Sequence, residues 1–117
     1  MDFDKLIKRD FTKFEPETKI SKIAGEMRRG EDAVAVFQDK DFIGIISSNH
    51  LIDRDYPAST KAKNLVRRNI PKLEMEEIDK IKLAKIFLEN NIKAVPIFKK
   101  GEMEGLVFEN EFINSSE

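Results

Sequence analysis

The sequence predicts an α/β protein built from two tandem β-α-β-β-α repeats. Three observations predict it: an apolar, β-branched run that recurs 61 positions later, a glycine seven residues beyond the end of each run, and an amphipathic stripe ahead of each. Ala33-Val34-Ala35-Val36-Phe37 is echoed by Ala94-Val95-Pro96-Ile97-Phe98, and Phe42-Ile43-Gly44-Ile45-Ile46 by Met103-Glu104-Gly105-Leu106-Val107. Upstream, Leu6-Ile7-Lys8-Arg9-Asp10-Phe11 resembles Leu65-Val66-Arg67-Arg68-Asn69-Ile70 at an offset of 59, and Ile23, Ala24 and Met27 correspond to Leu83, Ala84 and Phe87 at 60. Slips of one residue between elements are what loop insertions leave in a duplicated chain.

Each copy opens with a short extended segment, Phe11 to Phe14 and Ile70 to Leu73. A helix follows. Ile20, Ile23, Ala24 and Met27 fall at i, i+3, i+4 and i+7, one face of a 3.6-residue period. Thr18 is the expected N-cap of this helix and Gly30 its left-handed stop. In the second copy Asp79 caps, and Asn90-Asn91 supplies the left-handed tolerance. The five-residue apolar runs are too short for helices and read as strands buried on both faces. Gln38-Asp39-Lys40-Asp41 and Lys99-Lys100-Gly101-Glu102 turn the chain back into a second strand. Short helices close the copies, from about Ser48 to Arg54 and from about Glu109 to Ile113. The repeats divide the chain at 1–56 and 57–117, with Pro57-Ala58-Ser59-Thr60 a loop-like joint before a helix from about Lys61, so that 57–69 is the linker and lead-in.

Composition excludes several classes. With 117 residues, 40% of them hydrophobic, the chain has material for one compact domain or two small units. Its longest apolar stretches fall far short of the roughly 20 residues that span a bilayer. No charged segment followed by an apolar one opens the chain, so a cytoplasmic protein without a membrane role is expected. The absence of cysteine removes disulfides, thiolate nucleophiles and sulfur metal sites together. Lys and Arg number 21 against 22 Asp and Glu, a balance that gives no overall pull toward nucleic acid. Many charges of both signs with no cysteine or tryptophan fit a thermophilic source.

The order of elements, the strand Ala94-Val95-Pro96-Ile97-Phe98, the polar turn and Gly105-Leu106-Val107 running into a helix resemble a CBS domain. Two in tandem resemble a CBS-domain pair, or Bateman module, of the small stand-alone type found in archaeal or thermophilic sources; the likeness covers about residues 3 to 113. The resemblance implies two domains packed about a pseudo-twofold axis and a regulatory rather than catalytic role. Such modules bind adenosine-containing ligands, AMP, ATP or S-adenosylmethionine, in clefts between their domains. The purine lies against the start of the middle strand, here Ala33 and Val34, or Ala94, Val95 and Pro96. The ribose and phosphate are held by a hydroxyl and an acid in the pattern Gly-h-x-(Thr/Ser)-x-x-Asp, where h is apolar.

This sequence departs from the pattern differently in each copy. In Gly44-Ile45-Ile46-Ser47-Ser48-Asn49-His50, Ser47 keeps the hydroxyl and His50 replaces the acid; a neutral imidazole still accepts from a ribose hydroxyl, and a protonated one meets a phosphate. The bland alternative is a helix-start histidine facing water, with the serines capping. In Gly105-Leu106-Val107-Phe108-Glu109-Asn110-Glu111, Glu111 keeps an acid, but Phe108 replaces the hydroxyl and is expected to fill the position rather than stack on a base. One site, nearer the first copy, is the expectation. Val34 and Val95 read chiefly as sheet core, so that only their backbones would touch ligand. The basic residues Lys61, Lys63, Arg67, Arg68 and Lys72 read as a solvated helix surface.

No catalytic residue or metal site is expected. The lone histidine stands beside serines outside any Gly-x-Ser-x-Gly elbow, and there is no P-loop, dinucleotide fingerprint or His-Glu-x-x-His motif. No bound cofactor is required. The expected partners are an adenosine-type small molecule, a second copy of the chain joined through Leu51, Ile52, Phe112 and Ile113, and a separate effector protein. The competing reading is a ligand-free dimeric docking module whose clefts have decayed.

Overall fold

A computed structural model describes residues 2–52 and 54–115. The β-α-β-β-α order predicted for each copy is present, preceded by a two-residue strand, Ile7–Lys8, that the prediction did not include. Strand β1 (Ile7–Lys8) follows a 3-10 turn at Phe3–Leu6; then come β2 (Lys13–Phe14), α1 (Ile20–Arg28), β3 (Ala33–Gln38), β4 (Asp41–Ser47) and α2 (Ser48–Ile52). One helical turn, α3 (Ala62–Leu65), precedes the second set: β5 (Leu73–Glu74), a 3-10 turn at Met75–Glu77, α4 (Lys80–Asn90), β6 (Ala94–Lys99), β7 (Glu102–Phe108) and α5 (Glu109–Ser115). The chain is mixed α/β, as expected.

The chain packs into two units that cut across the repeats. One unit is Thr12–Asn69; the other joins the N-terminal segment up to Phe11 to everything from Ile70 onward. Thus the 1–56 and 57–117 division of the sequence is not the division of the packing. Each repeat's lead-in is built into the unit of the other repeat.

In the Thr12–Asn69 unit the sheet order is β2-β3-β4, with β2 parallel and β4 antiparallel to β3. Val34, Val36, Ile46, Phe14 and Ile23 form its core with Ala62 and Leu65, and Ile20 and Met27 pack against it. The strand β3 is buried from Ala33 through Val36, which explains its unbroken apolar run. The joint after Tyr56 is sewn onto this unit. Ile20 N–H donates to the Thr60 carbonyl at 2.8 Å, Ala62 N–H to Thr18 at 2.8 Å and Lys63 N–H to Pro16 at 2.9 Å. Glu17 clamps it from outside, accepting from Lys61 at 2.6 Å and Lys63 at 2.9 Å.

The other unit has the order β1-β7-β6-β5. Leu83 and Phe87 of α4 and Phe112 of α5 are buried, the two phenylalanine rings 5.8 Å apart. Arg9, just past β1, donates to Glu104 at 2.8 Å and to Asp4 at 2.9 Å. The tight turn between β6 and β7 has positive φ at both Lys100 (52°) and Gly101 (81°), the geometry of a two-residue I′ hairpin. Both hairpins carry a register shift at the same place, between Val36 and Phe37 and between Ile97 and Phe98.

The two hairpin glycines have one purpose. Ile7 and Lys8 pair antiparallel with Val107 and Leu106. The repeat-related Arg67 bridges Ile45, with N–H···O bonds of 2.9 and 3.2 Å in the two directions. A Cβ on Gly105 would lie 2.5 Å from the Lys8 carbonyl oxygen, and one on Gly44 would overlap that of Arg67. Only glycine admits the lead-in backbone at this distance.

The caps agree in part. Asp79 accepts from Lys82 N–H at 2.8 Å, and Asn91 is left-handed at φ 48°, as expected. Gly30 also has positive φ, 107°. Thr18 is not the N-cap of α1. Lys19 occupies that position without a side-chain bond, because Thr18 is drawn into the backbone pairing with the joint.

Replacing Gly44 or Gly105 by alanine should cost about 2–4 kcal/mol in urea denaturation, through backbone displacement. Gly25→Ala should instead stabilise by about 1 kcal/mol, since it lies within α1 and nothing stands within 4 Å of its added Cβ. Lys61, then Lys63, hold the Glu17 carboxyl down at about 2, against 4.5 ordinarily. The folded form therefore binds fewer protons than the unfolded one, and this contribution is complete above about pH 4.5 and lost as pH falls toward 2. Glu17→Gln should flatten the acid limb of the stability curve in that window and leave pH 7 to 9 parallel to wild type.

Candidate functional site

The expected ligand residues divide between the two units. Ala33, Val34, Ser47 and His50 lie in Thr12–Asn69; Ala94, Val95, Pro96, Phe108 and Glu111 lie in the other. Within each unit the strand residues lie at one sheet edge, where the start of the middle strand meets the end of its hairpin partner, and His50 and Glu111 lie on the short helix that follows. Ala33 is paired with Ser47, and Ala94 with Phe108. Ser48 N–H donates to the Asp32 carbonyl at 2.8 Å and Glu109 N–H to Lys93 at 2.9 Å, so each closing helix starts from the same anchor.

Val34 points into the core with Ile23 and Val36, which leaves only its backbone for any ligand. By strand alternation Ala33, Ala35, Ile45 and Ser47 share the opposite face. Ser47 is 1% exposed and is the single buried polar residue among those described. Val95, related to Val34 by the repeat, is likewise fully buried. Pro96 has no N–H, whereas its counterpart Ala35 donates to the Thr12 carbonyl at 3.0 Å.

Against Ile45, two residues before Ser47 on β4, lies a residue expected elsewhere. Arg67 is not on a solvated helix surface, because α3 ends at Leu65 and Arg67 is laid along β4. Its Nη1 donates to His50 Nε2 at 3.0 Å. A guanidinium can only donate, so Nε2 accepts and the ring proton sits on Nδ1. His50 is partly buried and does not simply face water. Of the other basic residues, Lys61 and Lys63 pair with Glu17, Lys72 lies over the Phe98 ring at 5.5 Å, and Arg68 is exposed. The signal for Arg67 was present in the offset-59 echo that aligns it with Lys8.

The second edge is built otherwise. Phe108 is 7% exposed, buried as a filling side chain. Lys8 Nζ lies 5.5 Å from its ring centroid, in cation–π range. Glu111 is exposed on α5. Among the described residues no group of three His, Asp or Glu is placed to hold a metal ion, and no helix is long and apolar enough to cross a membrane.

The family profile of the CBS domain matches residues 3–56. The first repeat is a CBS domain. Solved structures extend the fold to the whole chain. A CBS domain protein of unknown function from Thermoplasma acidophilum is 18% identical with a TM-score of 0.84, covering 100% of this chain and 70% of its own. A CBS domain pair/ACT domain protein from Thermotoga maritima is 20% identical, TM-score 0.70, with 98% and 95% covered. A protein with CBS domains from Burkholderia ambifaria, provisionally described as a signal-transduction protein, is 17% identical, TM-score 0.78, with 92% and 82% covered. At these identities the likeness establishes the fold alone. No curated protein matches the sequence significantly. The second CBS-type repeat therefore rests on the internal echo and the shared fold.

Phe108→Ala should lower stability by about 3–4 kcal/mol in chemical denaturation, the cost of a vacated aromatic site, and Phe108→Leu by about 1 kcal/mol. A surface phenylalanine would show neither loss.

Proposed function

We propose that this CBS-domain protein is a non-catalytic regulatory module that binds an adenosine-containing ligand at the Ser47–His50 edge of its first repeat. What supports the reading is buried Ser47 three residues before His50, the spacing of the ligand-holding pattern of CBS domains, with Arg67 Nη1 donating to His50. AMP, ATP and S-adenosylmethionine are the candidate ligands. The second edge, filled by Phe108, is read as a spacer. Binding would bias the conformation of the module, and a separate effector protein would read the change as a signal of nucleotide state in the cytoplasm.

A second reading is a ligand-free dimeric docking module. What favours it is the placement of the exposed large apolar side chains: Ile52, Ile81, Leu88 and Ile113 all lie on helices. Ala24, Met27, Leu51 and Ile52 also line a shallow groove of about 270 Å³ beside α1 and α2. Leu51, Ile52 and Ile113 thus remain available to a second copy in this reading. Phe112 does not, since its ring is buried against Phe87 in its own unit.

Thermal unfolding with AMP, ADP, ATP, S-adenosylmethionine and methylthioadenosine, paired with sedimentation analysis, separates the two. A ligand at about 100 times its Kd adds about 2.7 kcal/mol to the folded state, an upward shift of several degrees. Ser47→Ala and His50→Ala should reduce that shift more than Glu111→Ala. A dimer with a flat response across the panel at millimolar concentrations would leave the docking reading standing alone.

A further inference from the structure

We propose that Arg67 determines specificity at the first-repeat edge, selecting a ligand that carries a phosphate over neutral or cationic adenosine compounds. This rests on the ligand-binding reading above and adds the chemical group recognised and the residue that recognises it. Arg67 is seated by its backbone, through the two hydrogen bonds to Ile45, so its position does not depend on its side chain. Directly opposed residues of an antiparallel pair present their side chains on one face of the sheet. That face is shared by Ile45 and, two residues on, Ser47. From there the guanidinium reaches His50 at 3.0 Å. A permanently charged, planar fork, bonded to His50 and carried on the sheet face that Ser47 shares, matches the oxygens of a phosphate.

His50 takes a defined part in this arrangement. Its Nε2 accepts from Arg67, so the ring orients the guanidinium rather than offering a second positive charge. It is a positioning residue.

The second repeat is a built-in comparison. Lys8 stands opposite Leu106 as Arg67 stands opposite Ile45. Phe108 replaces Ser47 and Glu111 replaces His50. The cation, the hydroxyl and the imidazole have all changed, and the Lys8 ammonium lies over the Phe108 ring. One edge therefore keeps the groups that read an anion, and the other has lost the hydroxyl and gained a carboxylate.

Titration calorimetry of the full chain with AMP, adenosine and S-adenosylmethionine tests this. Wild type should bind AMP at least about tenfold more tightly than adenosine, and Arg67→Ala should weaken AMP by about 10- to 100-fold while leaving adenosine unchanged. Arg67→Lys should recover part of the AMP affinity. His50→Ala should show a smaller loss confined to AMP, rescued by His50→Gln, whose side-chain carbonyl still accepts from Arg67. Lys8→Ala should not change AMP binding. If Arg67→Ala does not fold, Arg67→Met, which keeps the aliphatic stem, carries the same comparison. Equal losses of AMP and adenosine, no loss of either, or a Lys8→Ala loss as large as that of Arg67→Ala would overturn the assignment and leave the ligand reading intact. Failure of all three compounds to bind wild type would remove the ligand reading and the assignment with it.

Discussion

Much of this structure depends on the close seating of a lead-in backbone against a hairpin glycine. At Gly44 and at Gly105 the carbonyl of the crossing segment occupies the space that any Cβ would need. The consequence reaches beyond two residues. Because Arg67 and Lys8 are the residues whose carbonyls make that approach, the same contact that closes each sheet also delivers a cationic side chain to each edge. Packing and electrostatics are set by one event, repeated once.

The repetition is faithful where backbone is concerned and loose where side chains meet the edge. Both hairpins have the same register shift, both middle strands are buried along their first four residues, and both closing helices hang from the carbonyl just before the middle strand. Against that constancy, the changes from Ser47 to Phe108, from His50 to Glu111 and from Arg67 to Lys8 stand out. A duplicated fold tolerates such changes because Ser47 and Phe108 close their strands and His50 and Glu111 follow on short helices, so each change leaves the backbone pairing of the hairpin as it was. Phe108 shows how the fold absorbs the change: an aromatic ring takes up the room of a hydroxyl and gives the neighbouring ammonium a face to lie on.

The legible parts of the sequence were those with a local cause. The stripe Ile20, Ile23, Ala24 and Met27 is a helix because period 3.6 suits one buried face. Asp79 caps because its carboxylate reaches an N–H three residues on, and Gly30 and Asn91 end helices because they accept positive φ. Thr18 misled because capping competes with tertiary backbone pairing, and the pairing of residues 16–20 with 60–63 is invisible from either segment alone. Phe112 was assigned to a contact with a second copy because a short helix shows too few residues to define its buried face; Phe87, 25 positions away, defines it.

By itself the sequence determined the duplication, the order of elements, the buried middle strands and the positions where the two edges differ. These follow from periodicity, β-branching and turn chemistry, all of which act over a few residues. Only the tertiary structure decided that the lead-ins change places, so that the units are Thr12–Asn69 and its flanks rather than 1–56 and 57–117. It alone moved Arg67 from an exposed helix to the side of His50. Both outcomes come from strand pairing between distant segments, whose partner is chosen by shape and register across the whole sheet and leaves no mark in either segment's own composition.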